Sequence, residues 1–140
     1  MSFKDISDIA GSAMAAQTVR LNTIASNLAN ADSVAGTEAD TYRARKPVFA
    51  AVMSENSDGS ASAGGKVQVL DVVQSSEPLR KVYEPGNPMA NSDGMVFYPN
   101  VSQVAEMTDM MSASRAFETN VEVLGRVQSM QTSLLKLGEG

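Results

Sequence analysis

The sequence predicts an α+β fold in which two long terminal helices form a coiled-coil-like hairpin with a small β-rich insert between them. Near both ends, apolar residues recur at alternating steps of three and four, the spacing of a helical seam. Short runs rich in Val, Tyr and Phe fill the middle, bounded by Gly, Pro, Asn and Asp. The predicted division is an N-terminal axial helix over 1–33, an insert over 34–99 with a flexible loop at 54–65, and a C-terminal axial helix over 100–140.

In the first segment, small or apolar residues fall at Phe3, Ala10, Met14, Leu21, Ile24, Leu28 and Ala31. Gln17 is the polar member of that row, and a lone polar seam residue fixes register at some cost in stability. The segment closes on Asn27, Asn30 and Asp32, and Asn tolerates the left-handed backbone that ends many helices. One helix over 2–31 would be roughly 40 Å long at about 1.5 Å per residue.

In the last segment, Asn100 stands where a helix cap is expected, with Gln103 at the capping-box position and Pro99 before it. The row beyond reads Met107, Met110, Ser114, Phe117, Val121, Leu124, Gln128, Gln131 and Leu135, and predicts a helix of roughly 55 Å. Ala113, Val127 and Leu134 widen that face.

Between them, strands are predicted over 42–53, 66–73, 79–84 and 95–98. Asp71 breaks the alternation around Val67 and Val69, which predicts a bulge or an edge. Pro85-Gly86-Asn87-Pro88 and Asn91-Ser92-Asp93-Gly94 are turn signals, the first expected as a rigid turn between insert and second helix. The stretch 54–65 has almost nothing to bury and reads as an exposed loop.

Composition narrows the function. The chain of 140 residues is 43% hydrophobic but only 5% aromatic, which suits close helix packing by Ala, Val and Met. A formal charge of −5 without a basic stripe argues against nucleic-acid binding. The short cluster Arg43, Arg45 and Lys46 does not change that. With no Cys and no His, thiol nucleophiles, imidazole bases and Cys/His zinc sites are excluded. No apolar run reaches the roughly 18 residues of a transmembrane span, and Asp5 and Asp8 spoil the N-terminus as a signal peptide.

Asp5 with Asp8, and Glu38 with Asp40, are spaced as carboxylate pairs but read as solvated acids. The Asn-Ser-Asp-Gly segments lack the ligand pattern of a calcium loop. No catalytic, cofactor or metal site is expected. The methionines Met107, Met110, Met111 and Met130 leave one alternative, a soluble helical adaptor binding a partner helix through a Met-rich face.

Ser26-Asn27-Leu28-Ala29-Asn30-Ala31-Asp32 after an amphipathic helix resembles the N-terminal signature of flagellar rod and hook proteins. Residues 112–120, Ser-Ala-Ser-Arg-Ala-Phe-Glu-Thr-Asn, resemble their C-terminal signature, with Phe117 where Tyr is usual. The segment 82–88, Asp93-Gly94 and Tyr98-Pro99-Asn100-Val101 resemble the FlgC branch, the proximal-rod proteins, as does the opening at 8–17.

The resemblance implies a non-enzymatic structural subunit that assembles helically with copies of itself and other rod proteins to make the drive shaft. It also implies nearness to the membrane (MS) ring and the rod-cap and export components. Residence on the periplasmic side, reached by type III export without a cleaved signal peptide, follows from it too. The expected assembly residues are Met14, Gln17, Leu21, Ile24, Asn27, Leu28 and Asn30 on the first helix. On the second they are Met107, Met110, Arg115, Phe117, Asn120, Val121 and Leu124.

Overall fold

The first helix starts where Ser2 and Asp5 can serve each other. In the computed structural model, which describes residues 2–55 and 61–138, α1 spans Phe3–Ala29. The Asp5 amide donates to Ser2 Oγ at 3.2 Å, and the Ser2 amide donates to Asp5 Oδ2 at 2.6 Å. This reciprocal cap satisfies two amides that the first turn leaves free, and it holds the Asp5 carboxyl below its ordinary pKa. At the far end the expectation of a left-handed Asn is not met. Asn30 caps at φ −105°, ψ 6°, and its Nδ2 donates back to the Ser26 carbonyl at 2.8 Å. The carboxamide satisfies a terminal carbonyl directly, so the strained backbone is not needed.

Strands β1 (Arg45–Glu55) and β2 (Ala61–Gln74) form an antiparallel ribbon. Val48 faces Asp71 while Phe49 faces Val69, so Leu70 is the extra residue of a bulge beside the Asp that breaks the pattern. The ribbon runs further than its side chains predict. Met53 pairs with Gly65 and Glu55 with Ala61, so 54–55 and 61–65 are strand where a loop is expected. Ladder hydrogen bonds belong to the backbone and do not require apolar side chains. The rest of that predicted loop, 56–60, lies outside the described residues.

Strands β3 (Arg80–Tyr83) and β4 (Met95–Tyr98) form a second antiparallel pair. Ala35 adds to its edge by a bridge to Phe97, with amide–carbonyl distances of 3.2 and 2.9 Å. Val96, at 0% exposure, is the centre of this small unit. The turn at 85–88 lies inside the β3–β4 connection and not between insert and helix as expected. The Glu84 amide already bonds the Gly94 carbonyl at 2.8 Å, closing the hairpin around it. Gly94 sits at φ 71°, a backbone that suits glycine. Asn87 and the Tyr98 hydroxyl both donate to the Glu84 carboxylate at 3.0 Å. These bonds hold the Glu84 carboxyl below its usual pKa and raise that of the Tyr98 phenol.

The second helix, α2, spans Gln103–Gly138 and is capped by Ser102, whose Oγ accepts from the Ala105 amide at 3.5 Å. Asn100, the expected cap, is spent elsewhere. Its Oδ1 accepts from the Ala44 amide at 2.8 Å and its Nδ2 donates to the Glu77 carbonyl at 2.9 Å. It thus ties both chain segments at the open end of the ribbon to the start of α2. Arg43 reinforces the joint by donating to the Glu77 carbonyl at 3.0 Å and pairing with Glu38 at 2.8 Å. Helix α1 lies between the two long elements, packing on α2 and on the ribbon, whereas α2 packs on α1 alone among the named elements.

One close approach yields a prediction. A Cβ at Gly36 would stand 2.8 Å from the Met89 carbonyl oxygen, whereas one at Gly86 would meet nothing within 4 Å. Gly36→Ala is expected to destabilise the chain by about 1–3 kcal/mol, as overpacking does. Gly86→Ala is expected to stay within about 0.5 kcal/mol. Urea unfolding of the two variants checks this.

Candidate assembly interface

The two helices meet along a polar clamp with small residues on either side. Arg20 donates to Asp109 through both Nε, at 3.2 Å, and Nη2, a two-point ion pair across the helices. Gln17 Oε1 accepts from Arg20 Nη1 at 3.4 Å, so the polar seam residue steers the guanidinium toward α2. Gln103 Nε2 donates to Asp32 Oδ2 at 3.0 Å. Numbers fall along α1 as they rise along α2, which makes the pair antiparallel. Ala10, Ala16 and Ala113 are buried, the last fully, and side chains this small let helices approach closely.

Asn27 joins α1 to the ribbon. Its Oδ1 accepts from the Arg45 amide at 2.9 Å and its Nδ2 donates to the Arg45 carbonyl at 2.9 Å. One side chain thus reproduces the paired bonds of a strand neighbour. The Tyr42 hydroxyl also donates to Asn27 Oδ1, at 2.9 Å, and lies 3.1 Å from Ser26 Oγ. Asn27 is 1% exposed with every partner in place. Further along α1, Ser12 Oγ accepts from the Val67 amide at 3.1 Å and Asp8 pairs with Lys66 at 3.5 Å.

The expected assembly residues fall into two groups. Ile24 and Asn27 are buried, and Met14, Gln17, Leu21, Leu28 and Asn30 are half-buried. Met110, Phe117, Asn120 and Leu124 are half-buried, and with Ala113 and Val127 they mark the side of α2 that α1 covers. Met107 at 56% and Val121 at 46% stay exposed, as does Arg115. Asn120 donates to the Ala116 carbonyl of its own helix at 2.7 Å. Met107 and Met111 therefore do not share the environment of Met110, and the Met cluster is not one face.

Arg20, Asp109, Thr23, Tyr42 and Arg45 are the joint residues that seam spacing does not find. Arg20 and Asp109 are 89 positions apart, and nothing local signals such a pair. The alanines could have been found, since small residues at helical spacing mark close approach.

The carboxylates have structural partners. Asp5 caps, Asp8 faces Lys66, Glu38 faces Arg43, and Asp40 accepts from Thr37 Oγ1 at 2.6 Å. No group of three or more potential metal ligands occurs among the described residues. Asn27→Ala would strip the part-buried Arg45 amide and carbonyl of their partners and leave a void where a buried side chain stood, and is expected to cost about 1–3 kcal/mol. Asn30→Ala, losing one bond at a helix end, is expected to cost less. Thermal unfolding of both variants checks the order.

Comparison with known proteins agrees with this layout. The family model described as flagella basal body rod protein matches residues 8–36. The one described as flagellar basal body rod FlgEFG protein C-terminal matches residues 92–137. The flagellar basal-body rod protein FlgC of Escherichia coli O157:H7 is 51% identical over 139 residues, covering 99% of this chain and 100% of its own. That of Salmonella typhimurium is 50% identical with the same coverage. That of Bacillus subtilis is 32% identical, covering 94% of this chain and 95% of its own. Two matched terminal segments on one antiparallel hairpin, with full-length similarity across such distant bacteria, place this chain in the FlgC family of flagellar basal-body rod proteins.

Proposed function

We propose that this chain does its work as a structural subunit of the proximal rod by packing its helical hairpin against neighbouring subunits, with no catalytic step. The rod role itself follows from the family. The observation that carries the mechanism is the unequal covering of the two helices. Among the described residues, helix α1 is covered by α2 on one side and the ribbon on another, while α2 is covered by α1 alone. Val104, Met107, Met111 and Val121 stay exposed at 77%, 56%, 59% and 46%. A solvent-exposed apolar row of this kind on a long helix suits burial against another subunit.

Ile24, Asn27, Phe117 and Leu124 would then hold the subunit together. Met107, Val121 and the exposed Arg115 would face neighbours. A heterologous interface that does not close on itself builds a helical tube. Torque would pass through many small packed contacts, none of them a concentrated site. The partners would be copies of this chain and other rod proteins, with the membrane ring and the export and rod-cap components at the ends. The working location would be the periplasmic side of the inner membrane, reached without removal of a leader. The ribbon and the β3–β4 unit would form one insert that braces the hairpin.

Replacing both Met107 and Val121 by Asp tests the reading. Because the two side chains are exposed, the stability of the isolated chain is expected to change by less than about 1 kcal/mol. Swimming, measured in the flagellated source bacterium with its own copy replaced, is expected to be lost. Undiminished swimming with the variant incorporated would overturn the proposal.

A further inference from the structure

The last turns of α2 and a cleft at the other end of the hairpin are both left unfilled. From the Arg20–Asp109 pair, stepping back to Phe3 on α1 reaches about position 126 on α2. Beyond Val127, every described residue of α2 through Gly138 is exposed. Met130, Leu134 and Leu137 share one face at steps of four and three, and are 55%, 54% and 78% exposed. Among the described residues, the helix continues past the one element that packs on it.

The cleft lies where α1, the start of β1 and the first turns of α2 converge, and has a volume of about 560 Å³. Its apolar wall is Ile24, Pro47 and Phe49, the last 39% exposed. The Arg20–Asp109 ion pair and Glu106 line it as well, and so do Arg45 and Lys46. Neither takes part in an ion pair among the described residues, although Arg45 lies over the Tyr42 ring at 5.6 Å.

We infer that the overhanging end of α2 from a second copy of this chain seats in this cleft, head to tail. Within one copy, about 30 Å of continuous helix separates Asp109 from the overhang, so the chain cannot fill its own cleft. Leu134 and Leu137 would enter against Ile24, Pro47 and Phe49. A helix C-terminus carries negative partial charge, offset in part here by Lys136 in the last turn, and Arg45 and Lys46 would receive what remains. The sequence adds Glu139 just beyond. Knob and cleft lie at opposite ends of one hairpin, so the contact repeats along an axis without closing. This rests on the self-association proposed above and names the contact through which it would run.

The chain has no cysteine, so an introduced pair reports one contact cleanly. The test is the double variant Leu134→Cys, Phe49→Cys, expressed in the source bacterium in place of its own copy and oxidised in intact cells. The control pairs Leu134→Cys with Met53→Cys, since Met53 is 70% exposed on the same strand but does not line the cleft. The expected result is reducible bands at two and more chain masses for the first pair, at least tenfold weaker for the control. Lys46→Glu, added to the first pair, is expected to weaken those bands severalfold. Swimming cells that yield only monomer would overturn this contact and leave the rod reading standing. Bands that stop at two chain masses would overturn the open, head-to-tail arrangement. Equal bands from the control would overturn the cleft as the seat. If the unaltered chain neither restores swimming nor enters the basal body, the self-association reading fails, and this inference with it.

Discussion

Two hydrogen bonds from the carboxamide of Asn27 set how the halves of this molecule fit. They pair a helix side chain with the backbone amide and carbonyl of Arg45, both near 2.9 Å, at the point where β1 begins. A carboxamide offers a donor and an acceptor in the geometry of a peptide group, so a helix can present a strand's hydrogen-bonding edge at one position. From there the ribbon is laid along α1, with Ser12 and Asp8 holding it further on. Burial raises the stakes, since a carboxamide at 1% exposure is tolerated only with its partners in place.

With the ribbon held on one side of α1 and α2 clamped to another by Arg20 and Asp109, α1 becomes the mast of the subunit. Isolated helices in water depend on tertiary packing for most of their stability. Helix α1 has such packing on two sides. Helix α2, the longer one, has it on one side and only up to about Val127. The asymmetry is a physical argument for assembly that needs no functional site. Exposed Val, Met and Leu side chains of α2 gain burial only when another molecule supplies it.

The insert reaches the same end by other means. Its core is little more than Val96, Ala35, Ala44 and Pro99, too small to hold two strand pairs by burial alone. Directional bonds take over. Asn100 joins Ala44 to Glu77, Arg43 joins Glu77 to Glu38, and Glu84 receives both Asn87 and Tyr98. Of the acids spaced as carboxylate pairs in the sequence, Glu38 belongs to this bracing. A subunit transmitting force through its packing gains from such joints, because a directional bond resists shear that an apolar contact would allow.

The two helices, the four strands and the bulge beside Asp71 were legible in the sequence, because each is written in local periodicity and in turn residues a few positions apart. The terminal signatures pointed to the rod family for the same reason, being short and contiguous. What the chain by itself did not disclose is which side of each stripe is used internally. A seam at alternating steps of three and four is narrow enough for one partner helix, but the covered seam of α2 runs Met110, Ala113, Phe117, Asn120, Leu124 and Val127, which shares only alternate members with the row read from the sequence. Only the packing of α1 decided that Met110, Phe117 and Leu124 turn inward while Met107 and Val121 remain outside. The same holds for Asn100, whose caps-and-turns chemistry suited a helix start until the fold brought Ala44 and Glu77 within reach. Hydrogen-bond partners tens of residues away have no local signature, so the joints at Asn27, Arg20 and Asn100 belong to the tertiary structure alone.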